Sequence, residues 1–177
     1  MNIVAIISTL LTAALIAALV VLIRRMAADG RDLPITADWI DELSLERYQP
    51  MMYLLDRSDL EFMRTQPGFT PQATAKLRDQ RCQIFRGYLK CFSSDFAKIC
   101  GAIRLLMLQS GHDRPDLAAA LVKHQLLFAM GLLIVNCRLV LYRFGICGVD
   151  VSILLKLFEV MRLELRTFVP APASMGA

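Results

Sequence analysis

The segment that decides the fold is TPQATAKLRDQRCQIFRGYLKCFSSDFAKICGAIRLLMLQ, residues 70–109. It opens with Thr70 and Pro71, a typical helix start, because threonine caps the first turn and proline fits the first helical position. No strong helix breaker follows until SGHDRP at residues 110–115. The segment therefore predicts one continuous helix of about 38 residues, about 57 Å long, which would be the spine of the fold.

Apolar residues recur along this helix at alternating spacings of three and four, the pattern of a helix face that packs against its neighbours. These residues are Phe85, Leu89, Phe92, Phe96, Ile99, Ile103 and Leu106. The opposite side is basic and carries Lys76, Arg86, Lys90, Lys98 and Arg104. Basic residues spread this widely are typical of a solvated face, and lipid binding by this face is the alternative.

Two further long helices are predicted after the spine. One should run from Pro115 to about Tyr142 and end at Gly145, and the other should begin at the capping residue Asp150 and run to about Phe168. The last helix repeats the apolar spacing of the spine with Val151, Leu154, Phe158, Met161, Leu165 and Phe168.

Two shorter helices are predicted before the spine. Thr36 is a suitable cap for a helix through ADWIDEL, and Ser58 with Glu61 forms a capping box for a helix ending near Gln66. No strand pattern and no internal repeat is evident. We therefore expect an all-α fold, an antiparallel helical bundle of about four main helices over residues 36–169, followed by a disordered tail at residues 170–177.

The first 25 residues are typical of a membrane anchor. The run IVAIISTLLTAALIAALVVLI, Ile3 to Ile23, carries no charge in 21 residues, and a helix of that length rises about 32 Å, enough to cross a bilayer core of about 30 Å. A cleaved signal peptide is disfavoured because no basic residue precedes the run and no small-residue cleavage site follows it. Arg24 and Arg25 flank the run, so we expect a single-pass protein whose bulk is cytoplasmic, with a linker at residues 26–35.

Composition agrees with this arrangement. Hydrophobic residues make up 56% of the chain and its mean hydropathy is +0.49, which is high for a fully soluble protein. The net charge of +4 is too mild to indicate a nucleic acid as partner. The five cysteines are odd in number and lack the spacing of a disulfide framework, which favours a reducing compartment.

Three of the cysteines lie on the spine at intervals of nine residues: Cys82, Cys91 and Cys100. Nine residues turn a helix through about 900°, half a turn out of phase, so Cys82 and Cys100 share a side and Cys91 lies opposite. A structural zinc needs four converging ligands, which this arrangement does not supply. We expect no metal and no cofactor, and we interpret these thiols as small buried apolar side chains that flank the packing face.

A second apolar run, QLLFAMGLLIVNC at residues 125–137, lies between Lys123 and Arg138. The 14 uncharged residues between these two charges fall short of the about 20 that a membrane span needs. A buried core helix is the favoured interpretation. A helix that dips into the membrane or crosses it is the alternative.

No catalytic motif is evident in the sequence. It lacks a serine nucleophile elbow, a glycine-rich phosphate loop and an HExxH motif, and His112 and His124 stand alone. These features favour a membrane-anchored interaction or scaffold protein. The alternative is a small-ligand or lipid binder, or an unrecognised enzyme, with a cavity inside the bundle.

The last helix offers a candidate interface. Ile153, Val160 and Leu163 project away from its packing face, and a helix that is apolar on two faces is either buried on both or offers one to a partner. We expect the bilayer to be one partner, through the N-terminal helix. A protein or a second copy of the chain would be the other.

Overall fold

A computed structural model describes Val20 and residues 35–56, 58–65, 70–109, 115–146 and 148–168. The predicted anchor, apart from Val20, lies outside these residues, as do the flanking Arg24 and Arg25 and the predicted tail. The linker is outside them too, apart from Ile35. The fold below is that of the described part of the predicted bundle.

The regular elements in these ranges are all helical, which confirms the prediction of an all-α helical bundle. They are α1 (Ala37–Glu42), a short 3-10 helix (Leu45–Tyr48), α2 (Pro50–Leu54), α3 (Ser58–Arg64), α4 (Pro71–Gln109), α5 (Pro115–Arg143) and α6 (Ser152–Phe168). The helix α4 is the predicted spine, with the predicted bounds. The helix α3 ends two residues before the predicted Gln66, at Arg64.

The three long helices pack against one another pairwise. Short connections reverse the chain between them, so α5 runs antiparallel to both α4 and α6. The contacts show the same direction, because Arg143 near the end of α5 pairs with Asp79 near the start of α4 at 3.1 Å. At the other end of the pair, Arg104 of α4 donates to Gln125 of α5 at 2.7 Å.

An aromatic cluster joins the three long helices at their centre. Phe96 of α4 stacks on Phe128 of α5, with ring centroids 3.7 Å apart and planes 2° from parallel. One turn earlier, Phe92 stacks on Phe158 of α6 at 4.9 Å. All four rings are 0–1% exposed. The pair of Phe92 and Phe158 has the centroid separation of aromatic pairs that add about 0.5–1.5 kcal/mol beyond the area that they bury.

The short segments before α4 cover the remaining side of this cluster. Tyr48, the last residue of the 3-10 helix, places its ring edge-on against Phe92 at 4.9 Å and against Phe158 at 6.0 Å. The helix α1 packs on α6, where the guanidinium of Arg162 donates to the Ile40 carbonyl at 3.2 Å and lies 3.5 Å from the Asp41 carboxylate.

The predicted helix boundaries rest on local hydrogen bonds. The Thr36 and Thr70 hydroxyl groups accept from the backbone N–H groups of Trp39 and Ala73, both at 3.3 Å. At the end of α5, Gly145 adopts a φ of 80°, and the N–H of Ile146 reaches back to the Leu141 carbonyl. This pairing is a Schellman motif, which explains why the glycine ends the helix.

The second apolar run forms part of a core helix, as the sequence favoured, but only one face of that helix is buried. Phe128, Ala129, Leu132 and Val135 of α5 are buried, but the side of the helix turned away from α4 and α6 is exposed. The reason is geometric: within the described residues α5 packs mainly on two neighbours, and both contact the same half of its circumference.

Gly131 lies where α5 and α6 approach closely. A methyl group added at its Cα would lie 2.6 Å from the Cδ2 atom of Leu154, a side chain that is only 1% exposed. The exposed Gly87 on α4 has no neighbouring atom within 4 Å of the same position. The two glycines therefore separate the effect of packing from that of helix propensity.

We expect Gly131→Ala to lower the free energy of unfolding by about 1–2 kcal/mol, because overpacking outweighs the better helix propensity of alanine. The control Gly87→Ala should raise that free energy by about 0.5–1 kcal/mol. Urea unfolding of the full chain in mild detergent, followed by circular dichroism, measures both. A Gly131→Ala protein as stable as the Gly87→Ala control would contradict the close approach of α5 and α6.

Candidate functional site

The predicted interface residues of α6 lie on its solvent side. Ile153, Val160 and Leu163 are 75%, 50% and 52% exposed, while the opposite face, Leu154, Phe158, Met161 and Leu165, is at most 1% exposed. Lys156 lies between the three apolar side chains and is exposed as well. The α6 surface is therefore a discontinuous apolar patch with one charge inside it.

A larger apolar surface lies on α5, within and around the second apolar run. The side of this helix that faces away from the core carries Val122, Leu126, Leu127, Met130, Ile134, Val140 and Leu141, each 41–51% exposed. We call this set the α5 outer face. Ala119 and Cys137 lie on the same side and are also exposed, and Lys123 is the charge within the set's first turn.

One property of the sequence could have revealed the α5 outer face. The helix is apolar around its whole circumference, and such a helix is normally covered on all sides. Among the described residues, Pro115–Arg143 is also the helix that is long and apolar enough to cross a membrane by length and composition, yet only 33% of its most apolar window is buried. The core of this bundle therefore accounts for only part of its apolar character.

A buried polar cluster joins the 3-10 helix to the spine α4. The Tyr48 hydroxyl donates to the Asp95 carboxylate at 2.5 Å, and Lys98 donates to the other oxygen of Asp95 at 2.9 Å. Burial, followed by the hydrogen bond to Asp95, raises the pKa of Tyr48. The tyrosine stays protonated and neutral, and the carboxylate has two donors, so the cluster fixes the 3-10 helix against α4.

A second polar contact lies between α4 and α5. Arg104 donates to the Gln125 side chain, whose Nε2 atom is buried without a hydrogen-bond partner. The adjacent Cys100 is fully buried, and burial raises its pKa to about 11. A thiol with a raised pKa is a poor nucleophile, so this contact has the properties of a core element.

Two of the five basic residues predicted on the solvated face of the spine make internal contacts instead. Lys98 pairs with Asp95, and Arg104 binds Gln125. Lys76, Arg86 and Lys90 are exposed as predicted. The fully exposed residues of the basic face therefore lie in the first half of α4, and Lys98 is half-exposed.

The structure places the spine cysteines as the helix phase predicts. Cys82 and Cys100 are buried, whereas Cys91 is exposed on the other side of α4, so the prediction of a buried side chain is wrong for Cys91. In the described residues, no group of three or more His, Cys, Asp or Glu side chains is arranged to hold a metal ion. Cys137 is exposed on α5 and lies within the apolar surface of that helix.

Two pockets in the described part of the chain bear on the alternative of a ligand cavity. One is lined by Met52, Leu55, Asp56, Gly148, Val149 and Asp150, at the end of the bundle. The other lies on α5 alone, over Ala118, Ala119, Val122, Lys123, Leu126 and Leu127, and is almost entirely apolar. Neither lies between the three long helices, so neither is the interior cavity that a ligand-binding bundle would use.

The cysteines provide a test of this packing. At pH 8 an exposed thiol reacts readily with iodoacetamide, whereas a thiol of pKa about 11 has about one molecule in a thousand as thiolate. We expect Cys91 to be alkylated within minutes in the folded full chain, and Cys82 and Cys100 to react only after urea is added. Mass spectrometry of peptides identifies the sites, and alkylation of Cys100 as fast as Cys91 would contradict the buried position.

Comparison with known proteins adds no assignment. The chain matches no protein-family model, and neither the curated proteins nor the solved structures give a significant match.

Proposed function

We propose that this chain is a membrane-anchored helical interaction protein, with the anchor at Ile3–Ile23 and a cytoplasmic bundle that docks a partner. The observation that carries the proposal is the second apolar face of α6, where Ile153, Val160 and Leu163 are half to three-quarters exposed. Exposed apolar side chains that cluster outside the core of their own domain are typical of surfaces that bind another molecule.

The placement of the polar groups supports an interaction protein over an enzyme. The buried carboxylate of Asp95 already has two donors, Tyr48 and Lys98. The buried thiols of Cys82 and Cys100 have raised pKa values, first of all because burial disfavours the thiolate. Groups held in this way stabilise the bundle and are not poised to transfer a proton or attack a substrate.

The uncharged run from Ile3 to Ile23 and the pair Arg24 and Arg25 support the anchor and its orientation. The partner of the α6 face would be a second copy or another protein near the membrane. In this arrangement the anchor confines the bundle to the membrane, so a modest contact surface is sufficient, because the effective concentration of neighbouring molecules is high.

Reporter fusions test the orientation. We expect a reporter placed after Gly30 and a reporter placed at Ala177 both to indicate the cytoplasm, since one span precedes both positions. Periplasmic or luminal signals from both fusions would reverse the orientation. A cytoplasmic signal from the first and an external signal from the second would show that a second helix crosses the membrane.

Substitution of the α6 face tests the partner. We expect Val160→Asp to keep the thermal unfolding of the wild type and to abolish association, measured by cross-linking and affinity purification of the full chain from membranes. Ile84→Asp is the matched control, because Ile84 of α4 is 52% exposed and Val160 is 50% exposed. Association that survives both Val160→Asp and Ile153→Asp would remove this face as the interface.

A further inference from the structure

The α5 outer face needs an occupant that the described chain does not supply. Leu126, Met130 and Ile134 follow one another at spacings of four, so they lie in a row along about 12 Å of the helix. Each is 44–50% exposed. The full face, from Ala119 to Leu141, extends about 33 Å, and apolar surfaces of this continuity are typical of contact with a membrane or another protein.

The charges on this part of the chain have one sign. Between Asp116 and Asp150 the sequence contains no Asp or Glu, and its basic residues are Lys123, Arg138 and Arg143. Arg143 pairs with Asp79 of α4, and the charge of Arg138 acts on Asp150 at the start of α6. Lys123 and Arg138 are about 22 Å apart along the axis, one near each end of the row of Leu126, Met130 and Ile134.

This pattern disfavours a second copy as the occupant. A symmetric pair formed through the α5 outer face would bring together basic residues with no acidic residue of α5 to compensate them after Asp116.

The apolar row of the α5 outer face and the basic residues near its ends match an anionic lipid surface. An interfacial helix buries apolar side chains to a depth of about 5–10 Å, and its lysine and arginine side chains extend to the phosphate groups. Crossing the bilayer is a different case, because α5 is held by the charged α4 and by α6, which would have to enter with it. Contact of the α5 outer face with the membrane surface does not require α4 or α6 to enter the bilayer.

The start of the described bundle lies near the Lys123 end of the α5 outer face, on the same side as the proposed anchor. Gly131 of α5 lies against Leu154 of α6 in an antiparallel pair, so Arg162, eight residues later in α6, is level with about residue 123 of α5. Arg162 binds the Ile40 carbonyl near the start of the described bundle. The ten residues of the linker, 26–35, reach at most about 35 Å, which keeps this end of α5 near the proposed anchor.

We propose that the α5 outer face lies on the cytoplasmic surface of the membrane, with Leu126, Met130 and Ile134 inserted between anionic phospholipids and Lys123 and Arg138 at the phosphates. The inference uses the anchor of the proposed function for proximity, but the apolar face and its charges are independent of the anchor. The bundle would then lie flat on the membrane and not extend from it on its linker.

The exposed cysteines allow a direct test in the full chain reconstituted into vesicles of phosphatidylcholine and phosphatidylserine. Cys137 lies on the α5 outer face. Cys91 lies on the side of α4 away from α5, because Arg104, which points in roughly the opposite direction from the helix, donates to Gln125 of α5. In one protein Cys91 and Cys147 are replaced by Ser and Cys137 carries an environment-sensitive fluorophore. In the control, Cys137 and Cys147 are replaced and Cys91 carries it.

We expect nitroxide-labelled lipids to quench the fluorophore at Cys137 severalfold more than the one at Cys91, and we expect this difference to shrink in vesicles of phosphatidylcholine alone. Met130→Glu should abolish the difference while thermal unfolding is unchanged, and the control Ile84→Glu should preserve it. Equal quenching at the two cysteines would overturn the proposal, and equal quenching in the two lipids would overturn the role of Lys123 and Arg138.

The remaining outcomes identify other occupants, and each overturns the proposal. Cross-linking of Cys137 between chains without lipid quenching would indicate a second copy. A fluorophore that is shielded from both water and lipid would indicate cover by another part of the chain, such as residues 3–23. Unfolding of Met130→Glu and of Ile134→Glu would show that the face is core.

Failure of the anchor gives a different result from failure of this surface. Extraction with sodium carbonate releases a chain that lacks a span but leaves an anchored chain in the vesicles. If carbonate releases the chain, but the fluorophore at Cys137 was quenched by lipid before extraction, the anchor is disproved and the α5 contact is supported. Retention together with equal quenching at Cys137 and Cys91 would retain the anchor and remove the α5 contact.

Discussion

The stacking of Phe96 on Phe128 is the contact on which the rest of the bundle depends. It fixes the register of α4 and α5, and one turn away Phe92 brings in α6 through Phe158. Tyr48 of the 3-10 helix packs on Phe92 in this cluster, and its hydroxyl group donates to the buried Asp95. A helix as long as α4 could pack on its neighbours in several registers, but flat rings of this size interdigitate in few of them. The aromatic cluster thus specifies one arrangement of four parts of the chain.

Much of this fold can be predicted from the sequence because it rests on local rules. Thr70 with Pro71 begins α4, Gly145 ends α5, and the hydrogen bond from the Ser152 N–H to the Asp150 side chain lies just before α6 and lowers the pKa of that carboxyl group. The buried faces of α4 and α6 follow from spacing for the same reason. Each of these features depends on residues within one or two turns of one another.

The features that were not predicted depend on residues far apart in the chain. Arg104 has the spacing of a solvated face, but it donates to Gln125, 21 residues later on the next helix, a contact that no local pattern contains. The exposure of the α5 outer face depends on how many helices surround α5, which its own composition does not state. The α6 residues Ile153, Val160 and Leu163 are exposed, and their role as an interface remains a prediction.

The contact between Arg162 and the Ile40 carbonyl also constrains the order in which the chain folds. It joins residues 122 positions apart, and the Tyr48 ring likewise depends on Phe158 of the last helix. During synthesis at about 5–20 residues per second, Ile40 and Tyr48 therefore leave the ribosome about ten seconds before the α6 residues that they contact. In that interval α4 can form as a helix and pack on α5, but the part of its aromatic face that Phe158 covers stays open. Because Phe158 and Arg162 both lie on α6, this last helix closes the bundle.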